Sequence, residues 1–225
     1  MATISFARGV PSADLLPVDE LKSAIQRAIE KDATGMLLYG DPMGYLPLRE
    51  WVGQRWGYDP AGVFVTNGSL QAFAFLAEVL FAGSGGRAAV EAPTYDRTIL
   101  TLKRFGATVD AYPLLEDGID VDALEAAIKG GKAPGLVYII PNFQNPAGNV
   151  TTLAVRQRLV DLAADKLGID RIELRRRNLI APTDFPFKMA GGLTYDCGEF
   201  ERNMDRCMEL IDWKGYPARR EDAKR

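Results

Sequence analysis

Apolar residues recur at helical spacing through Val18, Leu21, Ile25, Ala28 and Ile29 and predict an amphipathic helix over 17–31, behind a Gly- and Pro-rich opening. The loop Leu38-Tyr39-Gly40-Asp41-Pro42-Met43-Gly44 leads to a second helix, which opens at Leu46-Pro47-Leu48-Arg49-Glu50 and carries Trp51, Val52 and Trp56. Val63-Phe64-Val65-Thr66 is a short β-rich run ending in Asn67-Gly68-Ser69, and the apolar residues from Leu70 to Phe81 follow with few gaps, as in a buried helix. Strands are expected over 87–91, 107–112 and 136–140. Helices are expected over 96–105, over 121–129 with Asp120 as cap, and over 153–164 with Thr152 as cap. Strand and helix alternating at this pace predict an α/β fold, a mostly parallel sheet with helices on both faces. Further on, 173–177 reads as a basic helical turn, its arginines 175–177 more readily facing solvent or carboxylates than meeting a phosphate. Phe200, Met204, Cys207, Met208 and Ile211 fall on one face of a docking helix over 199–213, and the charged end, 218–225, reads as frayed.

Composition narrows the chemistry. With 225 residues, 47% of them hydrophobic, the chain can bury the core of one large domain or two small ones. A net charge of −3, a pI near 5.2 and no basic stripe leave no electrostatic footprint for nucleic acid. No run of about 18 apolar residues and no signal-peptide pattern occur, so no membrane association is expected and the cytoplasm is the expected location. Histidine is absent, and Cys197 and Cys207 are too far apart for a C-x-x-C pair, so no metal site and no His-based triad is expected. Acid and base chemistry falls to Lys, Asp, Glu, Tyr or a cofactor.

Three strand ends carry the candidate chemistry. The stretch I-I-P-N-F-Q-N-P-A-G, 139–148, leaves the carboxyl end of an apolar strand, where open α/β sheets bind ligands. Asn142 and Asn145 offer donors and an acceptor suited to the substituents of a planar polar ligand, and Pro141 and Pro146 stiffen their loop; a structural Asn-Pro turn reads equally well from that stretch alone. Gly68-Ser69 at a helix start presents free N–H groups and a hydroxyl to a phosphate, or is an ordinary cap. Tyr95 stands at another strand end, where its ring can stack on a flat ligand or pack on the core.

Taken in order, Y-G-D-P-x-G-x-x-x-L-R-E, V-T-N-G-S-L-Q-A, E-A-P-T-Y and P-N-F-Q-N-P-A-G resemble the large domain of fold type I, pyridoxal-phosphate-dependent class I/II aminotransferases. The likeness is greatest to the 2-aminoadipate/kynurenine aminotransferase group and to regulators with an aminotransferase-like domain. It covers roughly 6–163, so that 1–163 is expected to be the amino-terminal part of the cofactor domain. The resemblance implies pyridoxal 5'-phosphate as cofactor, an α-amino acid and a 2-oxo acid as substrates, and a homodimer. It implies that Gly68, Ser69 and Leu70 bind the cofactor phosphate, that Tyr39 reaches the phosphate in a neighbouring subunit, and that Tyr95 stacks on the pyridine ring. Asn145 would bond the ring's phenolic oxygen, and Gly9 would line the substrate entrance. Leu70 departs from the family, which often has Gln there.

From about Ala164 the text changes. L-G-I-D-x-x-E-L-R-R-R-N-L-I, F-P-F and Y-D-C-G resemble a connecting segment of the molybdopterin-binding subunit of xanthine dehydrogenase and aldehyde oxidase type enzymes. The expected domains are therefore 1–163 and a small, mainly helical 164–225, joined near Val160 to Leu167. On this reading the large domain is incomplete, and the lysine that holds the cofactor covalently in the family has no counterpart. Lys188, in F-K-M-A-G-G-L, is a superficial stand-in whose surroundings belong to the second resemblance. No catalytic residue is assigned. The expected function is a catalytically incomplete aminotransferase; the alternatives are a non-catalytic truncated module and a fragment of a molybdenum hydroxylase large subunit.

Overall fold

The computed structural model describes residues 12–188 and 194–223. The chain forms two compact units that divide between Val65 and Thr66. In the first, α1 (Val18–Leu37) runs beyond the helix that periodicity predicts, but its backbone leaves helical geometry at Asp32, with φ −157° and ψ 64°. α2 (Leu46–Trp56) ends on Gly57 in the left-handed conformation, φ 72°. Its buried Arg49 holds the preceding loop: Nε donates to the Gly44 carbonyl at 3.1 Å, Nη1 to the Pro60 carbonyl at 3.2 Å and Nη2 to the Asp41 carboxylate at 2.9 Å. The run 63–66, expected as a strand, joins no sheet among the described residues. The Val65 N–H donates instead to the Met43 carbonyl at 2.9 Å, so β propensity here serves an extended connection with no ladder beside it.

The second unit holds a four-stranded sheet in the order β3-β2-β1-β4. β1 (Arg87–Ala92) lies between β2 (Thr108–Leu115) and β4 (Leu136–Tyr138) and is parallel to both. β3 (Gly118–Ile119) turns back antiparallel on the end of β2. Alternation along β1 sends Ala88 and Val90 to one face, where α3 (Ser69–Phe81) and α4 (Asp96–Arg104) contribute Ala77, Phe81 and Leu102. Ala89 faces the other way, toward α5 (Val121–Lys129) and α6 (Leu153–Leu167), with Tyr112, Ile119, Leu124 and Val155. The sheet is thus mostly parallel and covered by helices on both faces, as the α/β pattern predicts.

Asp120 and Thr152 cap as expected, accepting from the Ala123 and Val155 N–H groups at 2.9 and 3.4 Å. α3 is not buried all round. Ala77 and Phe81 are enclosed, but Val79 is 83% exposed and Leu76 and Leu80 are also open, because a helix on one sheet face buries a single stripe. α6 runs unbroken through 160–167, where the join is expected, and ends on Gly168 at φ 65°.

Ion pairs hold the segment that follows. In α7 (Arg171–Arg176), Arg171 pairs with Asp165, and Arg175 with Asp161 at 2.6 Å. β5 (Phe187–Lys188) pairs antiparallel with β6 (Thr194–Tyr195). Arg176 bonds Glu201 and Asp205, the latter at 2.6 Å, on α8 (Phe200–Leu210). The three arginines of 175–177 all meet acceptors, since Arg177 pairs with Glu173 at 2.7 Å. α8 stops three residues short of the expected end, and its predicted docking face is only partly covered. Phe200 meets the Phe185 and Tyr195 rings at centroid distances of 5.7 and 5.6 Å, whereas Cys207 and Ile211 are exposed. The end is not frayed throughout: α9 (Tyr216–Asp222) forms, and Arg219 Nη2 donates to the Ile211 and Asp212 carbonyls, both at 2.8 Å. Among the described residues no helix is long and apolar enough to cross a membrane.

Candidate functional site

The direction of α3 decides where its amino end lies. Phe81, at its carboxyl end, sits beside Gly86, which immediately precedes β1; a Cβ on Gly86 would come within 3.4 Å of the Phe81 ring. One turn into the helix, the Phe73 ring meets Tyr138, at the end of β4, with a centroid distance of 5.4 Å. α3 therefore runs against the strands and begins at their carboxyl edge. Gly68 is its cap residue, with φ 78° and open space where a Cβ would stand, so only glycine gives both the turn and a bare approach to the helix end. The turn is fixed by the Asn67 N–H, which donates to Gln71 Oε1 at 2.6 Å, and by Thr66 Oγ1, which donates to the Gly68 carbonyl at 3.1 Å. The Ser69 hydroxyl has no partner among the described residues. With the free first-turn N–H groups it makes a donor set suited to an anion. Leu70 follows, 42% exposed, and its side chain adds no polar contact.

β1 leads at the same edge into Pro93, Thr94 and Tyr95; Tyr95 precedes α4, and its side chain is partly exposed. β4 leads into the loop 139–149. Geometry separates the two asparagines of that loop. Asn142 Oδ1 accepts from Arg156 Nη2 at 2.7 Å, and the same nitrogen donates to the Pro141 carbonyl at 2.7 Å, so Asn142 is committed to the loop's own structure. Asn145 is exposed, and its amide has no partner among the described residues. Between them, the Gln144 side chain is buried. Its Nε2 donates to Glu91 Oε2 at 3.2 Å and to the Pro93 carbonyl at 2.8 Å, while its Oε1 accepts from the Ala147 N–H at 3.0 Å.

The sheet edge thus gathers Gly68, Ser69, Leu70, Tyr95 and Asn145 from three separate loops. Tyr39 belongs to the other compact unit, where it stands fully exposed just before the loop that Arg49 braces. Gly9 lies outside the described residues. Sequence reading does not single out Gln144, Glu91, Arg156 or Arg49. Glu91 and Gln144 are 53 residues apart, so no local spacing joins them, although Glu91 is a polar residue near the end of an apolar strand and Gln144 lies in the loop that leaves another.

The family model for aminotransferase class I and II matches residues 3–169. The chain belongs to this family. Among its aminotransferase relatives, the 2-aminoadipate transaminase of Thermus thermophilus is 36% identical over 163 residues, 72% of this chain and 41% of that one. The crystal structure of LysN, the alpha-aminoadipate aminotransferase of the same organism, complexed with N-(5'-phosphopyridoxyl)-L-leucine, matches with a TM-score of 0.65. The match has 35% identity and covers 73% of this chain and 41% of that chain. This aminotransferase-family chain therefore spans about 41% of the length of those relatives. A different likeness is to the carbon monoxide dehydrogenase large chain of Hydrogenophaga pseudoflava, 33% identical over 104 residues, which are 44% of this chain and 12% of that one.

Proposed function

We propose that this chain carries the phosphate- and ring-binding half of a pyridoxal-phosphate-dependent aminotransferase, and that these 225 residues do not complete its catalytic apparatus. The observation that supports the reading is the meeting, at one carboxyl sheet edge, of an open helix start at Gly68-Ser69 with the unpartnered Asn145 amide and the Tyr95 ring. Ser69 and the first-turn N–H groups of α3 hold the phosphate, Tyr95 covers one ring face, and Asn145 donates to the ring's phenolic oxygen. Leu70 would bind the phosphate through its backbone N–H alone, its side chain adding no polar contact. Tyr39 serves the phosphate of a second copy in a homodimer. The substrates are an α-amino acid and a 2-oxo acid, in keeping with the 2-aminoadipate transaminase relative. Bound pyridoxal phosphate supplies an electron sink for the substrate carbon.

Incompleteness follows from the change of text after Ala164. Residues 1–163 form the aminotransferase-like part. Residues 164–225 form a segment of molybdenum hydroxylase type; the carbon monoxide dehydrogenase likeness supports only the coarser reading, since it takes in 44% of this chain and so extends beyond 164–225. No lysine in the first part stands in the family's cofactor-linking context, and Lys188 lies in the second.

An absorbance and fluorescence titration with pyridoxal phosphate, followed by borohydride reduction and peptide mapping, tests both halves of the reading. Saturable binding that Ser69→Ala weakens about tenfold, with no single labelled peptide, is the expected result. A single label at Lys188, lost in Lys188→Ala, overturns the incompleteness. The absence of saturable binding overturns the cofactor reading.

A further inference from the structure

The Gln144 side chain links three separate stretches of backbone. It reaches the Glu91 carboxylate near the end of β1, the Pro93 carbonyl two residues before Tyr95, and the Ala147 N–H within its own loop. Both ends of the link are enclosed, Gln144 at 2% exposure and Glu91 at 1%. Glu91 Oε2 also accepts from the Ile140 N–H at 3.1 Å, so one carboxylate oxygen fixes the start of the loop and its middle. The other oxygen, Oε1, is buried with no partner among the described residues. Every hydrogen-bonding group of the Gln144 amide is used, and the next residue is Asn145, whose own amide is unused.

We infer that Gln144, anchored by Glu91, is a positioning residue that aims the Asn145 amide at the ligand. The inference rests on the proposed cofactor reading. An asparagine on an exposed loop would lose rotational and backbone freedom on binding, which weakens the bond it makes. Gln144 removes that loss in advance by tying the loop to the rigid end of the central strand. The direction of the hydrogen bonds makes the link specific: Gln144 must donate to two oxygens, and Glu91 need only accept. Glu91→Gln keeps an acceptor at the Oε2 position and places its new amide nitrogen where Oε1 has no partner. Gln144→Glu has the same size but turns oxygen toward oxygen at both Glu91 and Pro93.

Equilibrium binding of pyridoxal phosphate to the full chain, read by quenching of intrinsic fluorescence, tests this in a double-mutant cycle with Asn145→Ala. The expected results are affinity within about threefold of the parent for Glu91→Gln and a loss of about tenfold for Gln144→Glu. Gln144→Glu should cause little further loss when combined with Asn145→Ala. Near-UV circular dichroism checks that each variant is folded, and Gln144→Met, similar in length and without hydrogen bonds, gives the same comparison if Gln144→Glu is not. Equal losses with and without Asn145→Ala overturn the inference and leave the cofactor reading standing. No saturable binding by the parent protein overturns both.

Discussion

Leu70 occupies the first turn of α3 with 42% of its surface exposed, so replacing it removes little buried apolar area. Leu70→Gln adds donors beside the free N–H groups of the helix start. Under the cofactor reading it should tighten pyridoxal phosphate binding about threefold, measured by fluorescence titration. Arg49 is a contrasting case, a buried cation that satisfies two carbonyls and a half-exposed carboxylate. Arg49→Met keeps much of the volume but strands those acceptors, and a urea unfolding curve should show a loss of about 2 kcal/mol. Both arginine and leucine sit in motifs that the sequence makes visible, yet the partners of Arg49 are not legible from it. The same limit applies at the sheet edge. Ser69, Tyr95 and Asn145 can be named because a turn or strand end signals them locally. The commitment of Asn142 to Arg156, and of Gln144 to Glu91, depends on bonds 14 and 53 residues long in sequence.

At the level of elements, helices with a cap in the text are legible almost to the residue, as with 121–129 behind Asp120. A cap and a period of 3.6 are both local. β3 escapes sequence reading because two residues carry no period, and 63–66 misleads it because β propensity cannot say whether a neighbouring strand exists. α7 and α8 make a separate prediction. Hydrogen bonds from Arg171 and Arg176 hold the Asp165 and Asp205 carboxyls below their usual titration range. A carboxylate whose folded pKa is depressed adds stability above its unfolded value, near pH 4, and loses it as pH falls through the folded value. Acidification below about pH 4 should therefore loosen 171–210. Faster amide exchange there than in β1 and β2 would register it, with little change between about pH 5 and 8.

Over the whole molecule, the balance of covered and open apolar surface matters most. The carbonyls and N–H groups on the outer side of β4 pair with no further strand among the described residues. Leu76, Val79 and Leu80 expose a continuous part of α3. An open strand edge and an apolar helix face both favour association. Light scattering should show mass rising with protein concentration, and Val79→Glu should reduce that rise without lowering the unfolding midpoint, because the 83% exposed side chain contributes little to the core.

α6 also transmits angle. Its fifteen residues form one uninterrupted helix from the loop that carries Asn145 into the arginine-rich segment, so the stretches before and after it share a single rotational phase. One residue inserted at 157–158 would turn everything beyond it by about 100° and swing Asp161 and Asp165 off their present bearing. Seven residues would bring them back to within about 20°. A connection made by a continuous helix is geared in this way, admitting length changes only in near-whole turns. Thermal stability across a series of one-, three-, four- and seven-residue insertions should rise and fall with that gearing rather than decline steadily with length.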